Sequence, residues 1–427
     1  MKVVPPGWTL PAHVDPDSGL VQPFDILGGP EVTTFPPAAY DGALRERRVF
    51  FSPLYGGFWV FTQYEDIVAA LRDSGTYGQH LASLPPMPFV HRQIPVSLEP
   101  PEHGEWRRVL LGVFTPHQAR DLEPTMAAIA RETVQQLRGR NECEVFSDFG
   151  MVLPSALFAI RIGLDPKSEQ FTALQRLGHE IVYGAAAVAE TEGPAAGAKH
   201  RDEMVTAFDD SLRELVHERR RAPGDDLLSY LAASKIEGGD PNDDALVEAC
   251  EFIFRAGTDS TATMITYAFL HLARDPELRA SLAADAAAGF TKDVVAEFLR
   301  FNSFVSLTRV VRRQVQVGDA VLEPGDIVLL PTAAAARDPQ KYADPGELSF
   351  ARGGAHNVAF GSGRHACLGT HEATAELRIA LQEFHRAIPD YEIDPHRHPD
   401  PDHLDYLVMA NKARPSGLHL TWGGDRG

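Results

Sequence analysis

The sequence predicts a mainly α-helical fold with small β-sheets, and three observations support this class. Apolar residues recur at helical spacing through most of the chain beyond residue 101. The longest such pattern covers residues 242–273 and would make a helix about 45 Å long. Strand-like runs are short and few, at residues 48–62, 310–317, 327–330 and 418–422. We therefore expect a single domain over residues 1–427, with a β-rich part at about 35–100 and a helical core at about 101–427.

Composition narrows the function classes. With 44% hydrophobic and 23% charged residues, the 427-residue chain has the make-up of a soluble globular protein. No apolar run approaches the roughly 18 residues of a membrane span, and prolines interrupt the N-terminus where an export signal would lie. A net charge of −19 without a basic tract argues against nucleic-acid binding. Cys143, Cys250 and Cys367 have no CxxC spacing, which favours reduced thiols in a cytoplasm.

The individual elements follow from local patterns in chain order. Residues 48–62 predict two aromatic-rich strands around Gly56 and Gly57, and six prolines within residues 82–101 predict an irregular connector. Thr115 followed by Pro116 predicts a helix start, because threonine caps free N–H groups and proline suits the first turn. Further helical patterns cover residues 102–114, 127–137, 155–163, 202–221, 226–234 and 370–388.

The chemistry is expected in a glycine-rich loop at residues 360–369, Phe-Gly-Ser-Gly-Arg-His-Ala-Cys-Leu-Gly, which ends where a helical pattern begins. Glycines let the backbone bend closely around a sulfur, and the helix start presents free N–H groups and a positive dipole end. Both features favour a thiolate at Cys367. A single thiolate cannot complete a zinc or iron–sulfur site, but it can be the one protein ligand of a haem iron.

This loop resembles the haem-thiolate loop of the cytochrome P450 family, whose fold is triangular and mainly helical. A structural cysteine in a turn is the ordinary alternative, but the six fixed positions of this pattern recur by chance with a probability of roughly 10⁻⁸ per window. By resemblance, Cys367 is the axial ligand and metal-binding residue of haem b. The resemblance also implies that Phe360 packs beside the sulfur and that His365 reaches a haem propionate.

Other segments resemble the same family in order and spacing. Glu297 and Arg300 match its ExxR element, and Arg352 is the expected third partner, which would join that helix to the segment before the cysteine loop. Two more regions, the Gly-Gly turn of the first strands and residues 94–101, are most similar to the soluble, camphor-hydroxylase-like bacterial branch.

Further matches concern the haem propionates. His103 and Arg107 lie four residues apart, hence on one helix face, and match the family's propionate-binding helix. Arg309 matches another propionate ligand. Arg108 is expected to be an ordinary surface charge of the helix.

The long helical pattern contains a segment similar to the family's oxygen-activation motif. Small Ala256 and Gly257 leave room above an iron. The hydroxyl of Ser260 can bond the carbonyl of residue 256, and Asp259 supplies an acid for proton delivery. Serine stands where threonine is usual, so the hydroxyl is kept while the methyl that fixes its rotamer is lost. We expect oxygen activation with more uncoupling, and we expect Thr261 to be a neighbour without the main role.

Arg255 departs from the family pattern, because this position usually carries an aliphatic residue near the substrate. Glu251, Arg255 and Asp259 follow at four-residue intervals, which would allow a salt-bridge ladder along the helix. Alternatively, Arg255 binds a substrate carboxylate or phenolate in a partly dry pocket, or it points to solvent. The first two interpretations are compatible with each other.

By resemblance, the substrate pocket is bordered by residues from several segments. These are Phe252 in the long helix, His91 as a polar rim residue of the irregular connector, Val305 and Leu307 after the ExxR helix, and Met409 near the C-terminus.

The resemblance implies a haem-thiolate monooxygenase that hydroxylates or O-dealkylates a small terpenoid or aromatic substrate. It would use O2 and two electrons from a ferredoxin, itself reduced by an NAD(P)H-dependent reductase. We expect this acidic ferredoxin to dock on the cysteine-side face at a basic patch of Arg107, Arg108 and Arg364, and we expect the chain to be a monomer.

Three alternatives remain. Within the class, the enzyme would be an organic-acid hydroxylase or demethylase with Arg255 as carboxylate anchor. From other classes, it would be a peroxygenase driven by hydrogen peroxide or a non-catalytic haem sensor. The retained Asp259 and the hydroxyl at position 260 argue against the last two.

Overall fold

The computed structural model describes residues 10–29, 32, 35–79, 84, 92–236, 239–352, 357–409 and 412–423. Within these ranges the α-helices are α1 (Tyr64–Arg72), α2 (Glu102–Leu111), α3 (Pro116–Arg138), α4 (Val152–Arg161), α5 (Glu169–His179), α6 (Ala185–Glu192), α7 (Pro194–Arg221), α8 (Leu227–Ala233), α9 (Asp243–Arg274), α10 (Pro276–Ala283), α11 (Ala286–Gly289), α12 (Lys292–Phe301), α13 (Thr332–Ala336) and α14 (Thr370–Ala387). The strands are β1 (Val49–Ser52), β2 (Phe58–Phe61), β3 (Tyr77–Gln79), β4 (Glu142–Glu144), β5 (Ser306–Val311), β6 (Val315–Val317), β7 (Ala320–Leu322), β8 (Ile327–Pro331), β9 (Glu392–Ile393), β10 (Tyr406–Met409), β11 (Lys412–Pro415) and β12 (His419–Thr421).

The predicted fold class is confirmed: the structure is mainly helical with small sheets. The largest sheet has five strands in the order β1-β2-β8-β5-β3. Strands β1 and β2 are antiparallel, with Val49 opposite Phe61, as the aromatic runs around the Gly-Gly turn predict. Strand β8 joins β2 in parallel and β5 in antiparallel orientation. The remaining sheets are β10-β11, β4-β12-β9 and β6-β7.

The long helix α9 joins two hydrophobic cores and so positions the site. Asn242 caps it by accepting the N–H of Ala245, which agrees with the predicted start. Its N-terminal half, including Phe254, packs in one core with α7 and α8. Its C-terminal half, including Phe269, packs in a second core with α12 and α14. The exposed stretch of α9 therefore falls between the cores, at residues 256–257.

The helix starts at Thr115 and Asn242 were predicted correctly, whereas the helix predicted over 202–221 begins at Pro194 and one predicted strand was wrong. Thr115 accepts the N–H of Gln118 at the start of α3, and the pattern at residues 127–137 is the later part of that same helix. The single strand predicted at 310–317 is instead two strands in different sheets, because β5 ends at Val311 and β6 begins at Val315. Between them, Arg312 donates its N–H to the carbonyl of Thr76 and Arg313 bonds the Thr76 hydroxyl. In the described ranges, no helix has the length and apolar character that crossing a membrane requires.

Candidate active site

The cysteine loop is a tight turn against helix α1. The N–H of Cys367 donates to the carbonyl of Phe360 at 2.8 Å and closes the loop. Gly363 has a φ of +74°, and a Cβ at this position would lie 2.5 Å from the carbonyl oxygen of Leu71. Glycine is therefore required there both for its conformation and for the close approach of α1. The hydroxyl of Thr370 donates to the carbonyl of Cys367 at 2.9 Å and fixes the start of α14.

The sulfur of Cys367 has an environment that suits a metal ligand. Cys367 is accessible at the surface of the site, but the protein atoms around its sulfur desolvate the thiolate and raise the pKa of the thiol, while the N–H of Gly369, the hydroxyl of Thr370 and the charge of Arg107 oppose that rise. The predicted contribution of the helix start is present, but it does not outweigh desolvation. Since a metal-bound thiol is deprotonated outright, a cation at the sulfur would supply what the loop alone does not.

Basic side chains gather beside this loop. The rings of His103 and His365 lie 4.1 Å apart between centroids. His103 Nε2 is buried and has no hydrogen-bond partner within the described ranges. Burial, followed by the charges of His103 and of three arginines, lowers the pKa of His365 to about 3. Burial also lowers the pKa of His103. Both rings are therefore neutral at pH 7.

Two arginines complete this basic cluster. Arg309 is only 3% exposed, and its guanidinium donates to the carbonyl of Thr308 at 2.8 Å. Burial lowers the pKa of Arg309 to about 10, with the charge of Glu99 in opposition. Burial likewise lowers the pKa of Arg107, against the charge of Cys367. In the part of the chain that the structure describes, neither guanidinium has a carboxylate within 4.0 Å. Buried cations without a partner are costly, so the cluster suits an anionic group beside Cys367.

The ExxR residues form a buried network. Arg300 Nε and Nη2 donate to the two carboxylate oxygens of Glu297 at 2.8 and 2.7 Å, and both side chains are at most 4% exposed. Arg352 Nε donates to Glu297 at 3.2 Å, the third contact that the sequence predicts. Arg300 also donates to the carbonyls of Ala336, Pro345 and Glu347. The network thus ties α12 to the segment that precedes the cysteine loop.

The oxygen-motif residues lie in the middle of α9. The hydroxyl of Ser260 donates to the carbonyl of Ala256, as predicted. Ala256 and Gly257 are exposed, and a Cβ on Gly257 would meet no atom within 4 Å. Thr261 is buried. The exposed small residues and the hydroxyl therefore lie on one short stretch of helix.

Asp259 does not take part in the predicted ladder. Its two carboxylate oxygens accept hydrogen bonds from the ammonium group of Lys412 in β11 and from the hydroxyl of Tyr183, which follows α5. Burial would raise the pKa of Asp259, but the charge and hydrogen bond of Lys412, with the hydrogen bond from Tyr183, hold it below its usual value. The predicted salt bridge between Arg255 and Asp259 is therefore wrong, because residues distant in sequence bond both oxygens of Asp259.

Arg255 pairs with Glu251 instead. The guanidinium donates through Nε and Nη2 to both carboxylate oxygens of Glu251, the Nη2 contact being 3.3 Å. The Glu251 side chain is 8% exposed and that of Arg255 is 28% exposed. The predicted helix salt bridge therefore exists as a single pair, with part of Arg255 still accessible.

The residues predicted to border the substrate are placed as follows. Phe252 in α9 and Val305 before β5 are half-buried, and the backbone of Val305 forms an isolated bridge with Lys412. Leu307 in β5 packs against the core of the five-stranded sheet. His91 lies outside the described residues. Met409 ends β10, and its side chain is likewise outside what is described.

The sequence analysis missed Lys412, Tyr183 and Arg72. Lys412 and Tyr183 belong to no recognisable motif and reach Asp259 only through the tertiary fold. Arg72, at the end of α1, donates to the hydroxyl of Ser362 in the cysteine loop at 2.9 Å and is exposed.

Taken as a donor set, these residues fit a haem. One sulfur ligand, two cations that have no carboxylate partner among the described residues and an imidazole nitrogen likewise unpartnered there match an iron porphyrin with two acidic propionates. The small exposed residues of α9 leave open space of the kind that a planar group needs.

Comparison with known proteins also indicates a haem protein. A family model described as Cytochrome P450 matches residues 57–413. The chain is 28% identical to the probable cytochrome P450 127A1 of Sinorhizobium fredii, over 90% of this chain and 91% of that protein. It is 30% identical to pentalenic acid synthase of Streptomyces avermitilis, over 83% and 87%. The solved structure of CYP101J2 is similar with a TM-score of 0.83 and 27% identity, over 97% of this chain and 100% of that one. That of CYP101C1 has a TM-score of 0.84 and 25% identity, with the same coverage.

Proposed function

The chain belongs to the cytochrome P450 family and is a monooxygenase, and from that premise we propose that it oxidises a small, uncharged terpenoid or aromatic molecule with electrons from a ferredoxin. The observation that carries the choice of substrate is the Arg255–Glu251 pair. Because Glu251 engages the guanidinium through both oxygens, the charge at this position of α9 is already neutralised. A neutral substrate would then meet no unpaired charge there.

We assign the following roles to the residues that would bind the haem and support the cysteine loop. Cys367 would ligate haem b, and His103, Arg107, Arg309 and His365 would hold its propionates. When bound, the haem supplies the binding and reductive activation of O2. The network of Glu297, described above with Arg300 and Arg352, would keep the cysteine loop in position.

Two residues of α9 would take part in proton delivery to the reacting oxygen. The hydroxyl of Ser260 donates to the carbonyl of Ala256, which would weaken the backbone hydrogen bond of that carbonyl and leave a polar notch able to order water. Asp259 would deliver protons by way of this notch. One oxygen atom would enter a C–H bond of the substrate, and the other would leave as water after two electrons and two protons are supplied.

The ferredoxin would dock beside the cysteine loop. Arg72, which bonds Ser362, and Arg364 are exposed at this loop. Arg108 is exposed on α2 and pairs with Glu105, whereas Arg107 is half-buried and suits a propionate better. A local basic patch on a chain of net charge −19 would orient an acidic partner. Three free cysteines favour a reducing compartment such as the cytoplasm, and the chain is expected to act as a monomer.

A second candidate, an organic-acid hydroxylase or demethylase, is favoured by the 28% exposure of the Arg255 side chain, which leaves room for a substrate carboxylate. The two are separated by titrating the ferric protein with terpene alcohols and ketones, and with aryl or cycloalkyl carboxylates of equal size, while recording the Soret spin-state shift. A shift with the neutral set, retained in Arg255→Leu/Glu251→Leu, supports the terpenoid proposal. The double variant is used because it leaves no buried carboxylate unpaired. A shift with carboxylates alone, lost in that variant, supports the acid hydroxylase.

The haem-thiolate assignment has its own test. The reduced, carbon monoxide-bound protein is expected to show the red-shifted Soret band of thiolate ligation, and Cys367→Ser is expected to lose it while Cys250→Ala keeps it. A band that survives in Cys367→Ser would contradict the assignment. Product formation with ferredoxin and NAD(P)H, at rates above those with hydrogen peroxide, would exclude both the sensor and the peroxygenase.

A further inference from the structure

The first turn of α14 brings a carboxylate close to the cysteine sulfur. This helix begins at Thr370, soon after Cys367, and Glu372 lies in its first turn. A Cβ on Gly369 would lie 3.9 Å from Cys367 Sγ, so the sulfur faces the helix start. Desolvation raises the pKa of the Cys367 thiol, the charge of Arg107 opposes that rise, and the charge of Glu372 adds to it. The sulfur therefore experiences a negative charge from the helix that follows it.

Arg161 of α4 pairs with this carboxylate and orients it. Its Nε and Nη2 donate to the two oxygens of Glu372. Its Nη1 donates to the carbonyl of Val113 at 3.3 Å, and the guanidinium stacks on the ring of Phe114. The cation is thus anchored at the turn between α2 and α3, whereas the carboxylate belongs to α14. Because both side chains are largely buried, water screens this separation of charge only weakly.

Glu376, one turn further along α14, is a carboxyl group in a different state. It is buried, and its Oε2 has no hydrogen-bond partner within the described ranges. Burial, followed by the charge of Glu372, raises the pKa of Glu376 well above its usual value and favours the neutral form. Of two carboxyl groups on one face of α14, the one nearer to Cys367 along the chain is therefore the charged one.

We propose that Glu372 is a positioning residue that, oriented by Arg161, keeps a negative charge beside the Cys367 thiolate and so lowers the reduction potential of the haem. Reduction adds one electron, supplied by the ferredoxin, to a ferric haem, and a fixed negative charge nearby opposes that addition. Arg161 keeps the carboxylate from taking up a proton as Glu376 does. This role goes beyond the proposed function and rests on the ligation of haem by Cys367.

The first test is a spectroelectrochemical titration of the haem-loaded, substrate-free protein at pH 7. Glu372→Gln is expected to raise the equilibrium constant for reduction about tenfold, which is 59 mV for a one-electron couple. Glu376→Gln is the matched control and should leave the potential unchanged, because it replaces a neutral group. The rise should persist in Glu372→Gln/Glu376→Gln, since it does not depend on a new pair between Arg161 and Glu376.

The second test separates charge from structural loosening by the binding of two ligands to the ferric protein. Cyanide binds as an anion, whereas imidazole binds as a neutral molecule. Glu372→Gln is expected to bind cyanide severalfold more tightly and imidazole as the wild type does. Should this variant lose its haem, Arg161→Leu/Glu372→Leu replaces it in both tests, because that variant leaves no buried charge unpaired, and its shifts should have the same sign.

The proposal is overturned if the potentials of wild type and Glu372→Gln coincide, if Glu376→Gln shifts the potential equally, or if cyanide and imidazole affinities change alike. Its failure is distinguishable from that of the proposed function. If the carbon monoxide complex of the wild type lacks the thiolate band, the proposed function fails. If the band is present and Glu372→Gln leaves the potential unchanged, only the role of Glu372 fails.

Discussion

Arg161 and Glu372 join helices α4 and α14 through a two-point ion pair, one turn beyond Cys367. Arg161 Nε and Nη2 donate to the two carboxylate oxygens at 2.8 and 2.7 Å, and the side chains are 12% and 10% exposed. The guanidinium also stacks 4.7 Å from the ring centroid of Phe114. Glu376, one turn further along α14, is buried, and desolvation together with the charge of Glu372 raises its pKa well above the usual value. The start of α14 thus pairs Glu372 with a cation of α4, and one turn later α14 carries Glu376, a buried carboxyl whose raised pKa favours the neutral form.

Because of this pair, a single substitution should lower the free energy of unfolding much more than the double substitution does. Arg161→Leu leaves Glu372 buried without its cation, and we expect a loss of about 3–5 kcal/mol in the free energy of unfolding. Arg161→Leu/Glu372→Leu should recover most of that loss, because both charges are removed together. Urea unfolding measures the difference. Arg213→Leu, which breaks two more exposed pairs, with Asp210 and Asp244, should cost less than about 1 kcal/mol. Equal losses in the two single variants would contradict the argument.

Arg309 should decide how firmly the haem is held. Arg309→Met removes a buried cation that has no carboxylate partner in the described ranges, so we expect haem transfer to apomyoglobin to accelerate about tenfold, as for the loss of one charged hydrogen bond. Arg108→Met is the matched control, since Arg108 is exposed and pairs with Glu105. If both variants released haem at the wild-type rate, Arg309 would have no part in binding it.

Substitutions at Ser260 should raise or lower the share of consumed O2 that appears as product, depending on the residue introduced. Ser260→Thr restores the methyl group that fixes the rotamer, so we expect a larger share of the consumed O2 to appear as product. Ser260→Ala frees the carbonyl of Ala256 and should lower that share. Oxygen consumption and product are measured in the same reaction, with Thr261→Ser as control because Thr261 is buried. Equal coupling in all four proteins would show that the hydroxyl at 260 is dispensable.

Interactions between sequence neighbours were predictable, and those between distant segments were not. The Thr115 cap, the extent of α9 and the Ser260–Ala256 bond each depend on residues within a turn of one another. Asp259 shows the opposite case: its partners Lys412 and Tyr183 are 153 and 76 residues away. The four-residue rule offered Arg255 as the only nearby cation, and it was wrong because a buried carboxylate takes whichever donors the tertiary fold brings to it.

The cysteine loop combines both kinds of interaction. Its glycines are visible in the sequence, but the reason for Gly363 is the backbone of Leu71, which arrives from another part of the chain. The same holds for Arg72, whose bond to Ser362 brings an unpredicted cation to the cysteine side. Motif reasoning therefore found the residues of the loop, while the surrounding surface required the structure.

His385 predicts a pH dependence of stability that is independent of the haem. Its Nδ1–H donates to the carbonyl of Leu381 at 2.8 Å, and its Nε2 accepts from the hydroxyl of Tyr391 at 2.9 Å, so the buried ring is held neutral. Burial lowers the pKa of His385 from 6.5 to about 4.

Because the unfolded chain binds this proton near pH 6.5 and the folded chain only near pH 4, the stability that His385 contributes at pH 7 is lost as the pH falls through that window. The loss is up to about 1.4 kcal/mol per pH unit. His385→Gln cannot titrate, so its free energy of unfolding should fall less steeply between pH 6.5 and 4 than that of the wild type, as measured by urea unfolding at several pH values. His117→Gln, which removes an exposed histidine instead, is the matched control. Parallel pH profiles for wild type and His385→Gln would mean that the ring is already protonated in the folded protein, with its Nε2–H donating a hydrogen bond to the hydroxyl oxygen of Tyr391.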